Sequence, residues 1–153
     1  MPIAPLRLCV LIGLVSSCWA GAGCGAPDVD VSQTPEYASA IGSHYRAKTD
    51  LWALGLYSTD GSRRVAKIWV SPFPGTGPEV AFRRKIPAGQ DFKVVAVRKA
   101  FVLLENGIQC VVATDGLDLP PGLEIIIPLY GEFRQTGGFL DDSRFERVAT
   151  SPQ

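Results

Sequence analysis

Several ingredients of common chemistry are scarce in this chain. It has one histidine, His44, one methionine and four cysteines in 153 residues. A zinc site needs three or four His, Cys or carboxylate ligands. The chain holds neither a Cys-x-x-Cys nor a His-x-x-x-His. The charges cancel, with 15 Lys and Arg against 15 Asp and Glu. Nucleic-acid binders usually carry a basic face, so zero net charge argues against such a partner. No apolar run approaches the ~20 residues of a transmembrane helix. No internal repeat is visible, and no window between Tyr45 and Tyr130 keeps a 3.6-residue period. The Gly-x-Ser-x-Gly elbow of hydrolases is absent, and Gly75-Thr76-Gly77 lacks the Lys and helix of a phosphate loop. No cofactor and no enzymatic activity are expected.

What is present begins with an apparent address. Residues 1–24 carry one charge, Arg7, and an eight-residue apolar run, Leu8–Val15. That length suits a signal-peptide core. Small residues follow from Ser16 to Gly23. The expectation is export from the cytoplasm.

Leu14-Val15-Ser16-Ser17-Cys18 resembles the lipobox of bacterial lipoproteins, an apolar residue and two small ones before a Cys. The resemblance implies that Cys18 receives a lipid and becomes the first residue after cleavage. Gly21-Ala22-Gly23-Cys24 is a weaker copy, with Cys24 as the alternative site. Ala20-Gly21-Ala22 also fits an ordinary cut before free secretion. A lipid anchor implies a membrane partner and a place in the bacterial cell envelope, facing the periplasm or the cell surface. Cys9 is removed in every version. Cys110, in the apolar Ile108–Ala113, reads as a lone buried thiol rather than a disulfide partner of Cys24.

The length sets one domain. Sixteen Gly and twelve Pro make 28 residues. Average usage would give about 18, so short elements joined by turns are favoured. Gly25–Ser43 is small, polar and unpatterned. With His44 at its edge it reads as a flexible linker over 25–44, of which the 19 residues 25–43 reach at most about 65 Å. Val29, Val31 and Tyr37 allow a part of it to pack as an edge segment instead.

Short strands then follow one another over 45–133. Leu51–Tyr57 and Val65–Val70 flank Asp60-Gly61, a hairpin signal. Ser71–Pro78 is a Pro- and Gly-rich loop. Glu79–Ile86 reads as a short strand, and Pro87–Gln90 as a turn. In Asp91–Ala100, Lys93, Val95, Val97 and Lys99 fall on one face, and Phe92, Val94, Ala96 and Arg98 on the other. Both faces hold apolar residues, so both are expected to be partly covered. Asn106-Gly107 predicts a second hairpin turn. Leu123–Leu129 is the last strong run. Six or seven strands at this spacing predict an all-β fold, a small antiparallel barrel or sandwich. The polar tail, 134–153, suits a short helix capped by Asp141 or Asp142 and anchored by Phe139, Phe145 and Val148, or disorder.

Ile86-Pro87-Ala88-Gly89-Gln90-Asp91-Phe92-Lys93-Val94-Val95 resembles the Pro-x-Gly turn and following strand of bacterial SH3-like barrels, and Phe101–Val112 is compatible with their next hairpin. The resemblance covers about 30 residues and implies an SH3-like fold. The Gly-Trp pair and the Asn-Val-Arg motif of peptidoglycan-binding members are absent. The whole arrangement also resembles small bacterial lipoproteins of unassigned activity.

Candidate chemistry is thin. A Cys–His nucleophile would need Cys110 and His44 to meet. Asp115/Asp118 and Asp141/Asp142 are the carboxylate pairs, and both lie in turn-rich stretches that suit solvated or capping roles. Arg63/Arg64 and Arg83-Arg84-Lys85 are the basic spots. The latter alternates faces and suits a charged edge strand that blocks aggregation, or a contact with anionic lipid or an acidic partner. Trp52, Trp69 and Tyr57 belong to the first hairpin; core packing and an exposed stacking surface are both open to them. Phe73, between two prolines, suits an exposed loop tip. The candidate binding surface is therefore Trp52, Trp69, Phe73, Arg83 and Arg84. The function expected is an envelope structural or protein-interaction module, with cell-wall glycan or peptide as the alternative ligand and a carboxylate hydrolase as a remote third.

Overall fold

A computed structural model of the protein describes residues 28–102, 105–129 and 139–149. The expected signal and lipidation segment, with Cys18 and Cys24, lies outside the described residues. Among those described, the fold is all-β. Its strands are β1 (Val29–Asp30), β2 (His44–Ala47), β3 (Leu51–Tyr57), β4 (Val65–Ser71), β5 (Val80–Ile86), β6 (Asp91–Val102), β7 (Glu105–Ala113), β8 (Glu124–Pro128) and β9 (Phe145–Val148). One turn of 3-10 helix, Ala38–Ala40, precedes β2.

All nine strands join one sheet, in the order β5-β3-β4-β8-β7-β6-β2-β9, with β1 beside β6. The sheet does not close into a barrel, and it is not wholly antiparallel. β8 runs parallel to β4, with Lys67 opposite Glu124 and Trp69 opposite Ile126. The chain leaves β4 for β5, crosses to the β6–β7 hairpin and returns as β8, which opposes β7 and thereby follows β4. Residues 48–50 join β2 to β3, and 87–90 join β5 to β6. These short links connect strands far apart in the hydrogen-bonded order, so the sheet must coil on itself.

Its concave face makes the core. Leu51, Ala53, Ile68, Val70, Ile86, Phe92, Val94, Val97, Cys110, Val112 and Ile127 form one buried cluster with Tyr45 and Phe145. Phe92 and Phe145 meet edge to face, centroids 6.1 Å apart. A fully buried side chain of this size contributes about 1.5–3 kcal/mol. Gly55 leaves room for the ring of Phe82, its partner on β5; a Cβ there would lie 2.2 Å from Phe82 Cε1.

Five of the expected strands fall where their apolar runs place them, and the sixth, Leu123–Leu129, appears as the shorter β8. The additional three come from the flanks and from His44–Ala47. The N-terminal segment pairs with the sheet from Val29 onward. β2 opposes only Asp91–Lys93 of β6. The rest of that long strand would present unpaired N–H and C=O groups, which are costly when buried. The segment supplies the partners. Val29 and Asp30 oppose Lys99 and Arg98. The Val31 N–H donates to Val97 O, the Val97 N–H to Ser32 Oγ, and the Gly42 N–H to Val94 O. Ser32 and Ala40 are buried.

The C-terminal segment forms a strand where a short helix or disorder was expected. The Asp141 carbonyl accepts from the N–H groups of Arg144 and Phe145, closing one turn only. Asp141 Oδ1 caps the Ser143 N–H. β9 then pairs along the free edge of β2 while Phe145 enters the core. Four residues of helix would leave that edge open.

Two local expectations are also corrected. Asn106 and Gly107 lie within β7, opposite Phe101 and Ala100. The apolar run of β6 extends to Val102, so the ladder continues one pair past the Asn-Gly, to Val102 opposite Glu105. The even alternation expected over 91–100 breaks at Val95, an extra residue between the Val94–Val112 and Ala96–Val111 pairs. The bulge puts Val94 and Val97 into the same core and leaves Val95 exposed.

Candidate functional site

The register of β3, β4 and β5 builds a second surface on the convex side. Side chains alternate along a strand, so Leu51 and Ala53 enter the core while Trp52 and Leu54 face away. Trp52 opposes Ser71 on one neighbour and Lys85 on the other. Leu54 opposes Trp69 and Arg83. Both tryptophans thus share one face and are half-buried. Lys67, two residues before Trp69, sits over its indole with Nζ 5.6 Å from the ring centroid. Such a contact contributes about 0.5–1 kcal/mol at an exposed site.

The loop after β4 borders this face. The Phe73 N–H donates to Ser71 Oγ at 3.1 Å, and Arg83 Nε donates to Gly75 O at 2.7 Å. Gly75 has a φ of 45°, and a Cβ there would lie 2.5 Å from Leu54 Cδ1. The loop therefore rests on Leu54. Phe73 remains 53% exposed. Of the five residues expected to form a binding surface, Trp52, Trp69 and Arg83 share the face and Phe73 stands on the bordering loop. Arg84 does not belong there. It opposes Ala53, points the other way, and bonds to the Asp118 carboxylate and carbonyl. β5 is the edge strand its charges suggest.

Lys67 escaped the sequence reading, although the signal was present. It lies two residues from Trp69, and period-two alternation puts both on one side. Lys85 pairs with Asp50 at 2.5 Å. That ammonium, with the Ala88 N–H, holds the Asp50 carboxyl below its ordinary range.

The nucleophile candidates are separated. Cys110 points into the core, and burial pushes its thiol up to about 12. His44 is out of phase with the buried Tyr45 and faces the opposite side. Asp118 is engaged by Arg84, and Asp141 by the turn it caps. Among the described residues no group of three His, Cys, Asp or Glu is placed to hold a metal ion, and no helix is long and apolar enough to cross a membrane.

A polar cavity of about 370 Å³ opens where the 87–90 turn meets the start of the β7–β8 loop, with His44, Gln90, Asp91, Lys93, Thr114 and Asp115 in its lining. The Gln90 amide donates to Thr114 Oγ1 at 2.7 Å and to Asp115 O at 2.8 Å, and Thr114 Oγ1 donates to Asp91 O at 2.6 Å.

Comparison with family models, with curated proteins and with solved structures finds no match for this chain.

Proposed function

We propose that the chain is a non-enzymatic lipoprotein of the bacterial cell envelope, anchored through Cys18 or alternatively Cys24, whose β domain docks on another envelope protein. The observation that carries the docking is the Trp52–Trp69 face. Two half-buried indoles lie on the side of the sheet away from the core, beside Lys67 and Arg83. Aromatic and Arg side chains dominate the energetics of protein interfaces. The anchor rests on the lipobox-like residues before Cys18. Between Cys18 and β1 lie residues 19–28, ten in all. They reach at most about 35 Å, so the domain would stay close to the bilayer.

The SH3-like reading is supported by the Pro87–Gln90 turn, which leads into β6, and by the β6–β7 hairpin. It favours the second reading, a cell-wall glycan or peptide as ligand. The half-buried indoles suit stacking on a sugar ring.

One experiment separates the two. A photo-crosslinking residue at Ser71, which opposes Trp52, is activated in intact cells, and the purified protein is mixed with insoluble peptidoglycan. The protein reading expects one discrete adduct that Trp52→Ala or Trp69→Ala abolishes. Pelleting with peptidoglycan, lost in the same variants, would replace it with the wall reading. Neither adduct nor pelleting would dismiss this face. Intact mass of the membrane-derived protein tests the anchor, with acyl mass expected to vanish in Cys18→Ser.

A further inference from the structure

The cavity beside His44 is independent of the tryptophan face. Its walls are already fixed. Gln90 and Thr114 tie the 87–90 turn, the start of β6 and the loop after β7 into one hydrogen-bonded unit. A ligand would meet a backbone frame that needs little ordering, so the cost of binding falls on the Lys93 and Asp115 side chains.

The charges of the lining are unevenly committed. Asp91 is spent on Arg46, whose Nε donates to Oδ1 at 2.7 Å and Nη2 to Oδ2 at 3.3 Å. That bidentate contact holds the Asp91 carboxyl below its ordinary range. Lys93 and Asp115 are different. Both line the cavity, yet among the described residues neither is in an ion pair, with the other or with any third group. Lys93 opposes His44 on β2 and Ala113 on β7. The short alanine side chain leaves room beside the ammonium. His44 adds a ring nitrogen on the neighbouring strand, about 4.5–5.5 Å away at Cβ.

An unpaired cation and an unpaired anion in one hollow are complementary to a ligand that carries both charges. We propose that this cavity binds a small zwitterion of the amino-acid class, a free amino acid or a short peptide. Its carboxylate lies at Lys93 and His44, and its ammonium at Asp115. The volume is at the small end of ligand cavities, about 300–1,000 Å³.

The test is an amide-shift titration by NMR of the purified protein with alanine, alanyl-alanine and trialanine. Acetate and methylamine serve as half-ligands. The expected result is saturable shifts of the His44, Gln90 and Thr114 amides with at least one of the three zwitterions. Each half-ligand should bind at least about tenfold more weakly, a loss of about 1.4 kcal/mol. Lys93→Met and Asp115→Asn should each weaken the zwitterion to a similar degree. Lys85→Met, outside the cavity, should leave it unchanged. Both cavity residues are exposed, so these variants should keep the wild-type amide spectrum elsewhere. Three outcomes would overturn the proposal: no saturable shift with any zwitterion, acetate binding as tightly as the best zwitterion, or binding indifferent to both cavity variants.

Discussion

The two faces of the sheet use the same strands for different ends. On the concave face, Leu51, Ala53, Ile68, Val70, Phe92 and Val94 are nearly sealed from water within one apolar cluster. On the convex face, the intervening residues of the same strands are Trp52, Trp69, Lys67 and Lys93, half-buried or exposed, with charges beside the rings. Even there the middle of the sheet is dry. Val111 and Ile126 are buried, and the Arg98–Glu124 ion pair joins β6 to β8 across the strand that carries Val111. The lesson is that most of the sealed apolar surface lies on one face, which leaves the other free for the recognition proposed above, so that each can be altered with limited effect on the other.

The largest test of that division is Phe92→Ala. Loss of a sealed aromatic that packs on Phe145 should cost about 3–5 kcal/mol in urea unfolding. Gly55→Ala comes next. Phe82 must give way to the new methyl group, and overpacking of this kind costs about 1–3 kcal/mol. Ser32→Ala removes the hydroxyl that serves Val97 and leaves that buried N–H unpaired, at about 1–3 kcal/mol. Hydrogen exchange should then rise at Val97 before it rises at Val94. Lys67→Ala on the convex face should cost only about 0.5–1 kcal/mol. A cost as large as that of Phe92→Ala would break the comparison, because it would make the convex face structural.

The smallest effect concerns the β3–β4 turn. Hydrogen bonds from Ser62 hold the Asp60 carboxyl down to about 2. A folded pKa below the unfolded value stabilises above that unfolded value, near pH 4, and the contribution fades as pH falls through 2. Asp60→Asn should flatten the acid limb of the stability curve in that window and leave the curve above pH 5 parallel to wild type.

Much of the strand pattern was legible, and the reasons differ by element. β3 and β4 announce themselves as apolar runs around Asp60-Gly61, and the antiparallel pair follows. β1 and β9 have no such signature. Val29-Asp30 and Phe145–Val148 become strands because β6 and β2 have edges to satisfy, which is information about a partner and not about the segment. The bulge at Val95 is hidden for a related reason, since Val-rich runs look the same with or without an extra residue. At the candidate site, alternation already pointed Arg83 and Arg84 to opposite faces, yet the expected surface included both, and the register removes Arg84. The diagonal neighbourhood of Trp52 and Trp69 needed the register. The cavity was not legible, because it joins residues from β2, β6 and the loop after β7.

The pairing of β1 with β6 has a mechanical consequence. If the chain is anchored at its N-terminus as proposed, a pull on that end loads Val29 and Asp30 first, which hold β6 by two ladder positions and the Ser32 clamp. Peeling this segment as far as Ser43 would free fifteen residues, 29–43, about 50 Å of chain when extended, but would also strip Ala40 from the core and Ser32 from Val97. Load on this end of the chain would therefore be borne by the core itself, through Ala40 and the residues packed around it, and not by the edge pairing alone.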